Sequence, residues 1–456
     1  MDRARPDDLL QLAVDKGGRV PMAIGALLVL DAASRVGADE LAAVLLARSA
    51  AVPRLQQRLC RTPPLGGRAV WRDAGSAAVS RCVDSVGVAG PAGWTGHLGS
   101  AGLTAGSAGV HRALLDAAAD LVLTRLPADG PLWRARLLVH PDGAVAALAL
   151  VAHHVVADGM GGLAVLGALA DPPSGYPGAA SAAVGQRAPQ PLPPWDELAR
   201  DAWAERVARL HRAGGRSGRL AGGLDELGLH RPRLADRCTL LGATGDRRRL
   251  ELATADLAAV RSRAHASGAT VNDVVVTAVT GALVELLARR GERVAELVVS
   301  VPVSRRGQGD AGELGNQTGV VPIRVPGVPE ASVRLAALVA ARARVGSPGR
   351  GGSAAVLTPA FRALAAVGAF QPFVDNQRLV HTFVTNVRGP AQRLRLAGAE
   401  VTAVVPVAVN PGNVAVSFDV LSYAGTLGVT LVCDPVLVPE SAWLAQRVTA
   451  GLTASG

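Results

Sequence analysis

The sequence predicts an α/β protein in two halves. Short apolar runs of strand length alternate with longer segments of helical spacing from residue 20 onward. The alternation lapses across 171–236, where seven prolines fall within 171–194 and 214–236 is irregular and rich in Gly and Arg. It resumes at residue 248 and runs to the end. The expected division is an N-terminal domain at 1–170, a connecting region at 171–236 and a C-terminal domain at 237–456. At 456 residues, 49% hydrophobic and 18% charged, the chain can bury two cores.

In the first half, 20–31 (VPMAIGALLVLD) reads as a strand. Residues 38–50 read as a helix with Asp39 and Glu40 in its first turn, where acids suit the dipole. Short strands are expected at 69–72 and 78–83, and a Gly/Ala/Ser-rich loop at 87–109. A helix follows over 110–125. Pro131, Leu132 and Trp133 make a turn ahead of two strands, 134–140 and 144–152. The second of these, AVAALALVA, carries no charge and reads as a strand buried on both faces.

That strand runs into His153 and His154. Asp158 and Gly159 come next, then an apolar segment of helical spacing over 159–170 that Asp158 is placed to cap. Neighbouring strand side chains diverge, so at most one histidine faces any one cleft. A neutral imidazole at the mouth of a dry cleft is a good general base near neutral pH. Two plainer readings compete: both histidines are packed core residues with Asp158 only a cap, or His153, His154 and Asp158 hold a metal. Diverging side chains and the lack of a His-Glu-x-x-His pattern weigh against the metal, and none is assigned.

The second half opens with a strand at 248–252 and helices at 256–266 and 270–292. Thr270 and Asp273 are spaced as a capping box, which alone would explain the pair Asn272-Asp273. Strands at 297–303 and 320–325 flank the basic turn of Arg305 and Arg306. The apolar stretch 354–374 holds Phe361, Phe370 and Phe373, and Pro359 and Pro372 are expected to bound a helix there. It reads as a core helix, with the wall of an apolar tunnel or a membrane-facing patch as the sharper alternatives. Strands at 381–387, 401–408, 413–420 and 426–433 and a helix at 440–452 complete the chain.

His153-His154-x-x-x-Asp158-Gly159 resembles the HHxxxDG motif of the acyltransferase superfamily that includes chloramphenicol acetyltransferase and condensation domains. Other matches follow in order: Pro21, Met22, Gly25 and Leu27; Pro131-Leu132-Trp133; Asn272-Asp273; Pro302-Val303-Ser304 with Arg306; and Asn386-Val387-Arg388-Gly389-Pro390. Together they make the chain similar to the bacterial wax ester synthase/diacylglycerol acyltransferases. The resemblance is weakest at 84–110 and 171–245, and Arg134 stands where that family usually has Glu.

This resemblance implies two chloramphenicol-acetyltransferase-like domains with mixed sheets and an active-site tunnel between them. It implies that His154 is the general base, with His153 secondary. Asp158 would be structural, paired with Arg306 or Arg305, next to the motif glycine Gly159. Asn272, Asp273, Asn386, Pro131, Leu132 and Trp133 would shape the site. The implied reaction moves a fatty acyl group from acyl-CoA, a substrate, to the hydroxyl of a diacylglycerol or a fatty alcohol, with no cofactor. A specialised-metabolite acyltransferase of the same superfamily, or a non-catalytic acyl-CoA- or lipid-binding member, is the alternative.

Net charge is +10, almost all from Arg, since Lys16 is the sole lysine. Such a surface suits anionic lipid or the phosphates of acyl-CoA. Nucleic acid is not expected, because no Arg-dense tract is interleaved with aromatics. Cys60, Cys82, Cys238 and Cys433 are widely spaced, which fits a reducing cytoplasm rather than a disulfide framework. Neither a signal peptide nor a membrane span is expected, so any membrane contact would be peripheral. The sequence does not specify an oligomeric state.

Overall fold

The computed structural model describes residues 1–5, 8, 11–12, 15, 20–88, 108–172, 187–211, 234–304, 318–345, 361, 363–364, 367–410 and 412–454. Strand β1, Ala23–Leu30, is followed by the helix Ala38–Ser49, the short pair β2 (Gln57–Cys60) and β3 (Val70–Asp73), and β4 (Val83–Gly87). The helix Ala108–Leu123 leads to β5 (Trp133–Val139) and β6 (Val145–His153), then to the helix Gly159–Leu169. Beyond the helix Trp195–His211 come β7 (Arg249–Asp256), the helices Leu257–Ala266 and Val271–Arg289, β8 (Glu296–Ser304) and β9 (Thr318–Pro326). The last part holds the helices Ala331–Val345 and Phe370–Asp375, then β10 (Thr382–Arg388), β11 (Arg395–Leu396), β12 (Ala399–Ala408), β13 (Val416–Tyr423), β14 (Thr426–Cys433) and the helix Ser441–Thr453.

β2 and β3 pair separately, and the other twelve of the fourteen described strands form two six-stranded sheets. One has the order β11-β12-β1-β6-β5-β4, the other β7-β14-β13-β10-β8-β9. Both are mixed: β4 runs parallel to β5 in the first, and β10 parallel to β8 and β13 in the second, among otherwise antiparallel neighbours. Strands 134–140 and 297–303 of the sequence therefore belong to different sheets. The first sheet is not drawn from the first half alone, because β11 and β12 come from 395–408 and cover the free edge of β1 from Ile24 to Leu30. Asp171 fastens that crossover: it pairs with Arg48 at 2.6 Å and accepts from the N–H groups of Ala397 and Gly398.

Strand β6 is buried at every position but Ala152, as a central strand with covered faces must be. Each fully buried leucine in it, Leu148 among them, contributes about 1.5–3 kcal/mol of apolar burial. Gly25 is a packing requirement on the neighbouring strand. A Cβ there would stand 2.0 Å from the Leu150 carbonyl oxygen, so only glycine lets β1 lie this close to β6.

The second sheet packs on the helix Val271–Arg289. Both arms of its capping box form: Asp273 N–H donates to Thr270 Oγ1 at 3.2 Å and Thr270 N–H to Asp273 Oδ2 at 2.8 Å. By length and composition this is the one described helix able to cross a membrane. Some 72% of its apolar window is buried inside the fold, however, as in a core helix.

Two local expectations are corrected. Residues 78–83 are not a strand, because Ser76–Ser80 is helical and β4 starts at Val83. The segment SAAVS lacks period-two alternation, and Gly75 turns the chain into the helix at φ +80°. Pro372 does not end a helix. It sits in the first turn of Phe370–Asp375, where its missing N–H costs nothing. Most of 354–366 lies outside the described residues, as do the loop 89–107 and most of the connecting region.

Candidate active site

The end of β6 delivers the two histidines with their backbones pinned from opposite sides. His153 N–H donates to Leu132 O at 2.9 Å, and His154 N–H to Met22 O at 2.8 Å. His153 is buried, and its Nδ1 accepts from Val155 N–H at 3.1 Å. The neutral ring therefore carries its proton on Nε2, which is buried without a hydrogen-bond partner. Burial pushes the His153 pKa down to about 4; Asp15 opposes this and His154 adds to it.

His154 faces the other way, into a cavity of about 460 Å³ between the two sheets. Its Nδ1 is sealed from solvent, which leaves Nε2 as the ring nitrogen directed at the cavity. Burial lowers its pKa as well, offset in part by its own backbone carbonyl and by Asp158. At neutral pH the imidazole is thus uncharged, the state in which it can take a proton.

Asp158 is the N-cap of the helix Gly159–Leu169; its Oδ1 accepts from Gly161 N–H at 2.8 Å, and the residue is buried. Gly159 is pressed by the second sheet, since a Cβ there would stand 2.8 Å from Val387 Cγ2. Trp133 lines the cavity with its Nε1–H donated to Leu55 O at 2.8 Å. Pro131 bridges to Arg58 on the far side, and Leu132 is buried beneath. Across the cavity Asn386 projects from β10, and its Nδ2 donates to Asn272 Oδ1 at 3.3 Å. Asp273 is held by the capping box and by Arg342 at 3.3 Å.

The cavity thus collects His154, Asp158, Gly159, Trp133 and Asn386, with Asn272 tied to its edge. His153, Pro131, Leu132 and Asp273 stand outside its lining. Arg305 and Arg306 lie outside the described residues. Among the described residues no group of three or more His, Cys, Asp or Glu could hold a metal ion.

Sequence reasoning missed five polar members of the wall: Gln11, Thr385, Asn410, Ser417 and Asp419. Asp419 is 5% exposed, and its Oδ1 accepts from Thr385 Oγ1 at 2.8 Å. Burial pushes its carboxyl up to about 6, against the Thr385 hydroxyl and the Ala408 N–H. The signal was a lone acid inside the otherwise uncharged strand VSFDVLSY. Phe361 also lines the cavity and stacks against Phe370 and Phe373, so the described part of 354–374 forms wall and packing.

Two mixed sheets around a cavity that carries HHxxxDG define a chloramphenicol-acetyltransferase-like acyltransferase fold. The Marinobacter aquaeolei VT8 wax ester synthase/diacylglycerol acyltransferase superposes with a TM-score of 0.65 at 21% identity, over 99% of this chain and 98% of that one. A starter condensation domain of rhizomide synthetase in complex with C8-CoA superposes with a TM-score of 0.60 at 14% identity, over 100% and 95%. The Mycobacterium tuberculosis (strain H37Rv) relative named "Probable diacyglycerol O-acyltransferase tgs1" is 27% identical over 354 residues, 74% of this chain and 73% of the relative. Residues 104–275 match the wax ester synthase/diacylglycerol acyltransferase catalytic domain, and residues 315–454 match the C-terminal domain of the same family. The chain belongs to the wax ester synthase/diacylglycerol acyltransferase family and is an acyltransferase.

Proposed function

We propose that the chain transfers a fatty acyl group from acyl-CoA to a hydroxyl acceptor, with His154 as the general base. The observation that carries this is a neutral His154 directed into a largely apolar cavity between the sheets. Nε2 takes the proton of the acceptor hydroxyl as its oxygen attacks the thioester carbonyl. The tetrahedral oxyanion then collapses and expels the CoA thiolate, which leaves with the proton held by the imidazolium. No covalent enzyme intermediate and no cofactor are required. Asn272, its amide oxygen engaged by Asn386, offers its NH₂ as one donor for the oxyanion. The acceptor is a lipid or long-chain alcohol that bears a hydroxyl, in keeping with relatives named as diacylglycerol acyltransferase and wax ester synthase. The test is product analysis by mass spectrometry with palmitoyl-CoA and a panel of acceptors. Acyl-CoA binding without ester formation on any acceptor would favour a non-catalytic binding member.

We also propose that the protein works in the cytoplasm and touches membrane only peripherally. A basic chain and two exposed tryptophans, Trp195 and Trp203, on the helix Trp195–His211 support this. Vesicles of anionic lipid should retain the protein at low salt and release it at high salt, whereas no retention contradicts the reading.

A further inference from the structure

The transfer as described gives no role to Asp419. Its side chain is almost wholly buried in the wall of the cavity that His154 faces. The Thr385 hydroxyl engages Oδ1 and the Ala408 N–H also favours the charged carboxyl, but Oδ2 is sealed from solvent with no donor within hydrogen-bond distance. Gln11 lines the same cavity, and its Oε1 is also buried without a partner. Leaving acceptor atoms dry and unpaired is unfavourable, and a hydrophobic residue at 419 would avoid the penalty. On β13 Ser417 shares this wall, and Val420 and Leu421 complete it, so the carboxyl sits among mainly apolar neighbours.

Among the described residues, the cavity wall thus holds two buried acceptor oxygens without a partner, Asp419 Oδ2 and Gln11 Oε1. An acceptor molecule with a single hydroxyl commits that group to His154 and leaves both unpaired. We infer that Asp419, with Gln11 as a second acceptor, forms a specificity subsite for a further hydrogen-bond donor on the acceptor substrate, a second hydroxyl or an ammonium group. The acceptor class this selects is a long-chain polyol or amino alcohol, in preference to a simple alkanol. Burial holds the carboxyl near its charged and uncharged boundary, so it can serve either donor. The inference rests on the proposed function in one respect, that this cavity is where the acceptor binds.

The test compares 1-hexadecanol, hexadecane-1,2-diol and 2-aminohexadecan-1-ol on the full chain and on Asp419→Asn, which keeps the side-chain shape and the contact with Thr385. Affinity is read by calorimetry and transfer from palmitoyl-CoA by kcat/KM. The wild type should prefer the diol or the amino alcohol to hexadecanol by about 10-fold or more, and Asp419→Asn should reduce that ratio by about 10-fold. A larger drop for the amino alcohol than for the diol assigns the donor as ammonium, and the reverse assigns it as hydroxyl. An equal ratio in wild type and variant, by affinity and by kcat/KM, overturns the subsite. If no acceptor is acylated by the wild type, the transfer reading fails, and the affinity ratio still decides the subsite.

Discussion

The Cγ2 methyl of Val387 lies 2.8 Å from where a Cβ on Gly159 would stand, so two sequence motifs more than two hundred residues apart meet at one point in the site. Gly159 opens the helix beside the histidines, and Val387 belongs to β10 of the other sheet. The glycine is needed here for space and not for its backbone angles, because its φ is not positive. Gly159→Ala should push β10 outward, cost about 1–3 kcal/mol by overpacking and lower activity. Thermal unfolding would show it, and an unchanged melting temperature would contradict the contact.

Asp158 is the cap of the same helix. Asp158→Ala should lose about 1 kcal/mol or more in denaturant unfolding, because the Gly161 N–H loses its acceptor. Asp158→Asn keeps a cap oxygen and should recover the cap share of that loss. What it fails to recover measures the charge of Asp158. Equal destabilisation by Ala and Asn would show that the cap contributes nothing.

The hydrogen bond from Asn386 to Asn272 joins β10 to the first turn of the helix Val271–Arg289. A double-mutant cycle of Asn272→Ala and Asn386→Ala should return a coupling of about 0.5–1.5 kcal/mol in stability. Additive losses would mean that the two amides act independently.

Stability should fall on acidification. Burial holds the pKa values of His153, His154 and His381 below the ordinary value of 6.5 in the fold. His381 is fully buried, with Nδ1 accepting from Val298 N–H and Nε2 bonded to Asp236 O. Below pH 6.5 the unfolded chain gains protons that the fold refuses. The stabilisation is thus complete above 6.5 and is lost as pH falls, down to about 4 for His153. His153 alone accounts for about 2 kcal/mol between pH 6.5 and 5. Asp419 acts in the opposite sense. Raised to about 6, it favours the fold below the ordinary carboxylate value and loses that contribution as pH rises through 6. Asp419→Asn should therefore steepen the acid decline in melting temperature, and an unaltered slope would contradict the assignment.

Much of this site was legible because local rules governed it. The charge-free run before His153, the spacing of Asp158 to its helix and the Thr270–Asp273 box each depend on a few adjacent residues. What stayed hidden depends on tertiary placement. Nothing within 395–408 tells that β12 crosses to pair with β1 rather than with its neighbours in sequence, since both sheets accept an apolar strand. The helix Ala331–Val345 went unanticipated between two strand-like signals, its arginines masking a modest apolar face. Asp419 looked like one acid in a strand until Thr385 and the cavity placed it.

The most direct measurement of the central claim is single-turnover acyl transfer by His154→Ala, run beside His153→Ala, with folding checked by thermal melt. His154→Ala should keep the wild-type fold and acyl-CoA binding while losing about 10²–10⁴-fold in rate. His153→Ala should lose less rate and more stability, since its ring is packed and does not line the cavity. The wild-type rate should also decline on the acid side below pH 6.5, as His154 protonates. Near-normal turnover by a folded His154→Ala would contradict the account.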